Sequence, residues 1–99
     1  MNIKISSVHF DADKKLLDLI EKKIQKLKHF YDEIVGAEIK LKISNNHEQG
    51  NKILEVRLEV PGNDLFAKRE CKTFEEAVDQ VVDALKSQMN KHKGKQQNS

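Results

Sequence analysis

One cysteine, four histidines and eighteen lysines and arginines are the residues of this 99-residue chain with the most obvious chemical potential. Cys71 comes late in the run LFAKRECK (65–72), on the side of Leu65 and Ala67. A thiol becomes a nucleophile only when a base or a cationic setting favours the thiolate. Nothing in the sequence pairs a base with Cys71, so a small buried thiol is the expected role. His9, His29, His47 and His92 fall at a strand end, a helix end, a loop and a helix end. No two stand at i, i+4 on one helix, and Cys71 offers them no partner, so no metal site is expected. The DAD at 11–13 resembles the start of a calcium loop, but KKL follows where the loop needs glycine and further acids. Helix capping accounts for both aspartates. With no Gly-rich phosphate loop and no nucleophile elbow, no catalytic residue, cofactor or small-molecule substrate is expected.

The lysines remain. Residues 13–31 hold six lysines and three acids, net +3, and residues 84–99 hold four lysines and no acid, net +4. The rest of the chain is net −5, so a formal charge of +2 hides a strong segregation. On a helical wheel Lys15, Lys22, Lys26 and His29 lie within about 60° of one another, opposite an apolar stripe. Lys23 and Lys28 flank that stripe, and on the last helix Lys86 and Lys93 share the solvent side. Exposed faces are commonly charged, and lysine in a last turn complements the helix dipole. Yet residues 22–31 carry four lysines and no acid, so i,i+4 pairing cannot account for them. A polyanion footprint explains the imbalance better than a solvated face does.

The elements that must position these lysines follow from periodicity. NIKISSV (2–8) is a short strand, and residues 11–32 form a helix with Leu16, Leu17, Ile20, Ile24, Leu27 and Tyr31 on one stripe. Asp13 is its expected N-cap, and Gly36 is expected to take a positive φ at the turn beyond it. Residues 37–44 and 52–60 alternate strictly: Ala37, Ile39, Leu41, Ile43 and Leu54, Val56, Leu58, Val60 point one way, charged residues the other. A polar hairpin loop (45–51) joins them, and PGND (61–64) is a turn before a weaker strand (65–72). Thr73 and Glu76 form a capping box opening a helix over 73–93, with Phe74, Ala77, Val78, Val81, Leu85 and Met89 inward. The fold class is α+β, order β-α-β-β-β-α: a four-stranded mixed sheet whose first two strands run parallel, with two helices packed on one face. One domain spans residues 1–95, and residues 96–99 are a disordered tail. A single cysteine, no signal-like apolar region and no membrane-length run lead us to expect a cytoplasmic domain with no membrane role.

In its motifs the chain resembles the ribosome hibernation promoting factor family, also called ribosome-associated inhibitors, in its short form. The resemblance lies in HFDADKKLLDLIEKKIQKLKHFYDEI, in VPGNDLFA, and in TFEEAVDQVVDALKSQMNKHKGK with its A-[IV]-D, D-x-L-x-x-Q and K-x-K runs. It implies a fold similar to double-stranded-RNA-binding domains. It also implies a place on the small ribosomal subunit, in the channel for messenger and transfer RNA, with both helices against ribosomal RNA. Such a factor inhibits translation in stationary phase or stress, and is expected to be monomeric off the ribosome. Lys23 and Lys26 match lysines of the family's first helix, and Lys91, Lys93 and Lys95 its closing basic run. Joined to the wheel positions, the expected RNA-binding set is Lys22, Lys23, Lys26, His29, Lys86, Lys91, Lys93 and Lys95. Ala84 and Ser87 stand where the family often has Lys and Arg, with Lys86 between them, and Phe74-Glu75 replaces a frequent Met-Tyr. A generic double-stranded-RNA-binding module is the alternative, and a protein-interaction domain using the open sheet face is a third.

Overall fold

In a computed structural model the chain is described at residues 1–44 and 50–97, with side chains through Lys91 and backbone alone for 92–97. Most of the expected hairpin loop, His47 included, lies outside the described residues. The elements are β1 (Asn2–Ser7), α1 (Lys14–Gln25), α2 (Leu27–Phe30), β2 (Gly36–Ile43), β3 (Lys52–Glu59), β4 (Leu65–Cys71) and α3 (Phe74–Gln97). The sheet order is β1-β2-β3-β4, with β1 parallel to β2 and the other pairs antiparallel. This is the architecture that the alternation and loop lengths predict.

Register explains why only one face is covered. Ile39 opposes Val56, Leu41 opposes Leu54 and Val56 opposes Ala67, so the apolar sets of three strands meet on one face. Ile20 and Ile24 from α1, Leu27 from α2, and Ala77, Val78, Val81, Leu85 and Met89 from α3 close over them, all fully buried. The other face is a lattice of charges. Arg57 pairs with Glu38 at 2.5 Å and Asp64 at 3.6 Å, and Lys42 with Glu55 at 2.6 Å. Two layers make a thin body, with principal extents of 45 × 26 × 17 Å.

The first helix is not continuous. The Lys26 amide still reaches the Lys22 carbonyl (3.3 Å), but the His29 amide bonds the Lys26 carbonyl (3.1 Å), a tighter i→i+3 step. Neither glycine nor proline is present there. The break lies between Ile24 and Leu27, both fully buried, so it re-aims the polar side while the apolar side stays on the core. Tyr31 then leaves in extended conformation, its ring buried and its hydroxyl 3.1 Å from Glu33 Oε2.

Two local expectations need correction, and a third holds in part. Asp13 does hold the N-cap position (φ −64°, ψ 141°), yet its side chain makes no capping hydrogen bond. Its carbonyl accepts from the Leu17 amide at 3.0 Å, so its remaining contribution is charge at the positive end of the helix. Gly36 does not supply a positive φ; it is the first residue of β2, opposite Asn2. A Cβ there would lie 2.9 Å from the Asn2 carbonyl oxygen, so glycine is needed for the close approach of β1. The positive φ sits instead at Gly62 in the PGND turn and at Gly50. The α3 backbone runs through Gln97, past the expected end at Lys93; Asn98 and Ser99 lie outside the described residues.

The capping box at Thr73 forms on the hydroxyl side: the Glu76 amide donates to Thr73 Oγ1 at 3.1 Å. Just beyond it Phe74 stacks on Phe10, centroids 5.7 Å apart and rings within 5° of parallel. That contact ties the β1–α1 connection to the start of α3.

Candidate nucleic-acid interface

The two long helices lie side by side on the sheet, and three of the lysines meet along their seam. Lys23, near the end of α1, and Lys26, at the α1–α2 break, line an open groove with Lys86 of α3. Asp79, Val82 and Asp83 form the α3 wall. The spacing of the α3 residues is helical: 79, 82, 83 and 86 recur at three and four, so one ridge of α3 presents them all to α1. Lys22 and Lys26 are exposed on α1 and at the α1–α2 break, and Lys86 and Lys91 are exposed on α3. The backbone of Lys93 and Lys95 continues α3; their side chains lie outside the described residues, as does that of His92.

Of the expected set, Lys22, Lys91 and His29 do not line this groove. His29 lines a separate recess with Met1, Gln25 and Lys28. Gln25 and His29 stand four residues apart, so they share a face of the helix turned away from Lys23.

Two of the four lysines in residues 22–31 also have structural partners. The Lys23 ammonium forms a salt bridge with Asp79 across the helix seam. Lys28 Nζ donates to the Ile34 carbonyl oxygen at 3.3 Å, tying the helix to the approach to β2. The absence of an acid within residues 22–31 therefore does not leave all four unpaired, because Asp79 is 56 residues away in sequence. Sequence reasoning noted Asp79 only as part of a motif and missed its bridge. It also missed the work of Gln88, whose amide nitrogen donates to the Phe66 carbonyl at 2.8 Å and so fixes α3 against β4.

Cys71 is buried, as its register predicts. Burial pushes its thiol pKa up, the nearby Glu76 carboxylate adds to that shift, and Arg69 partly opposes it. A thiol held protonated is a poor nucleophile at neutral pH. Among the described residues no three His, Cys, Asp or Glu side chains are grouped so as to hold a metal ion. Among them, too, no helix is long and apolar enough to cross a membrane.

Residues 3–97 match the family described as Sigma 54 modulation protein / S30EA ribosomal protein. The chain belongs to this family. Its relatives include a ribosome hibernation promoting factor of Pseudomonas putida, 28% identical over 97 residues, spanning 98% of this chain and 91% of that protein. A second, from Klebsiella oxytoca, is 30% identical over 95 residues and spans 96% of each. A ribosomal subunit interface protein from Coxiella burnetii superposes with a TM-score of 0.83 at 28% identity, covering 95% of this chain and 99% of that one. Membership in the S30EA family agrees with the resemblance read from the sequence, and the superposition supports the four-stranded, two-helix fold.

Proposed function

We propose that this S30EA-family chain is a ribosome hibernation factor that docks on the small ribosomal subunit and inhibits translation in stationary phase or stress. The observation that carries this reading is the groove that gathers Lys23 of α1 and Lys26 of the α1–α2 break with Lys86 of α3. Lysines spaced along two adjacent helices suit the phosphates of an RNA duplex, and A-form RNA is recognised by shape and backbone more than by base edges. The footprint comprises Lys22, Lys26, Lys86 and Lys91, with Lys93 and Lys95 extending it along α3, His29 at its margin and Lys23 held by Asp79. The site is the channel for messenger and transfer RNA, and the mechanism is occupancy. Lysines replace counterions along ribosomal RNA while the folded body excludes transfer RNA and message. The protein acts in the cytoplasm, as a monomer off the ribosome, with no catalytic step.

Competition tests this. If the domain lies in the transfer-RNA channel, each ligand weakens the other by the same factor. Labelled protein should be retained on empty small subunits and excluded from subunits preloaded with message and a P-site transfer RNA, at fixed salt. Equal retention on both would sink the channel mechanism and favour a generic duplex-RNA binder.

A further inference from the structure

The groove between α1 and α3 is not uniformly basic, and an ion pair crosses it. Lys23 is the more buried partner, its side chain 31% exposed against 60% for Asp79. The Lys23 ammonium is engaged by the Asp79 carboxylate across the seam, so a phosphate entering the groove competes with Asp79 for Lys23. Asp83 lines the same groove, so three lysines share it with two acids, and the excess is one positive charge. Folding does not account for the bridge, because exposed ion pairs contribute little to stability. The core beneath this seam is already closed by Ile20, Ile24, Val78, Val81 and Leu85.

We propose that Asp79 holds Lys23 in reserve: the α1–α3 groove binds a polyanion below its full capacity and gains a cation when the Asp79 charge is removed. This rests on reading the groove as an RNA interface. Taking away the aspartate charge removes a repulsion from any phosphate bound nearby and frees Lys23 to make a contact of its own. Together these should tighten binding roughly 5- to 20-fold at low salt. The freed lysine should also steepen the log–log salt dependence by about 0.7 to 0.9. Asp79 is thus a restraint on affinity that a count of basic residues would not disclose.

The experiment compares the wild-type chain with Asp79→Asn, Lys23→Gln and the double variant, using two probes: purified small ribosomal subunits and a short A-form RNA duplex. Asp79→Ser removes the same charge with a different side chain and repeats the measurement should the Asn variant fold poorly. The expected result is tighter binding and a steeper salt slope for both Asp79 variants. Lys23→Gln alone should weaken binding, because it leaves the Asp79 carboxylate unneutralised in the groove. In the Asp79→Asn background it should abolish the steeper salt slope and the part of the gain that the freed lysine supplies. Unchanged or weaker binding by folded Asp79 variants, on a probe that the wild type binds with a clear salt dependence, overturns the proposal. Gain on the duplex with no binding to subunits would instead sink the hibernation reading and leave the restraint standing. Wild-type binding to neither probe would remove both.

Discussion

Replacing Lys26 with Gln removes one charge at the α1–α2 break while leaving the buried side of the helix untouched, since Lys26 is exposed. The structure sets the size of the effect. Lys22, Lys26, Lys86 and Lys91 are the exposed cations of the proposed footprint, and Lys23 is held by Asp79. If each of the four neutralises one phosphate, the log–log salt slope from them is about 2.8 to 3.6, so a four-fold rise in salt weakens binding roughly 50- to 150-fold. With Lys26 gone the slope falls to about 2.1 to 2.7 and the loss to roughly 20- to 40-fold. Lysines further along α3 add the same increment to both proteins, so the difference in slope is the quantity to read. The assay is equilibrium binding of labelled protein to small subunits across a salt series. Lys68→Gln, a change on the opposite sheet face where Lys68 is exposed, serves as the control and should leave the slope as it was. An unchanged slope in Lys26→Gln, or an equal drop in Lys68→Gln, would refute the placement of the footprint on the helical face.

Gly36→Ala should drive the new Cβ against the Asn2 carbonyl and loosen the parallel β1–β2 pair. A cost of about 1–3 kcal/mol is expected, read as a melting temperature lower by roughly 5–20 °C; wild-type stability would show that β1 can shift freely. Cys71→Ala should fold and bind small subunits normally at a cost of about 1 kcal/mol, and loss of binding by the folded variant would overturn its structural role. The thiol also predicts a pH effect. Its folded pKa lies above the ordinary 9.0, so its contribution is fully present below that value and is lost as pH rises through the folded pKa. Chemical denaturation across alkaline pH should therefore fall more steeply in the wild type than in Cys71→Ala, and parallel curves would contradict the shift.

What the sequence could disclose depended on how local each cause was. Strict alternation in β2 and β3 dictated which residues face the helices, because a one-residue slip would have exposed Leu54, Val56 and Leu58 together. The Thr73 capping box was legible for the same reason: its hydrogen bond spans three residues. Gly36 was misread because its constraint comes from Asn2, a strand neighbour reached only after a helical crossover. The break at Lys26 was hidden because Ile24 and Leu27 keep the apolar stripe intact on both sides of it. The candidate site was half legible. Clustering of lysines on both helices pointed to the seam where Lys23, Lys26 and Lys86 come together, while the Lys23–Asp79 bridge depends on how the helices pack. The Gln88 contact with Phe66 likewise joins residues 22 apart on different elements.

The thinness of the body has an electrostatic consequence. Its shortest extent, 17 Å, is about two screening lengths at physiological ionic strength. Charges on the helical side are thus largely invisible from the sheet side, where Arg57, Glu38, Lys42 and Glu55 satisfy one another. Whatever occupies one side leaves the potential on the other nearly unchanged, so the two surfaces act as independent faces of one slab. At about 0.01 M salt the screening length grows to about 30 Å and that insulation disappears. Low-salt measurements would then report a single field for the whole molecule, blending two surfaces that behave separately in the cell.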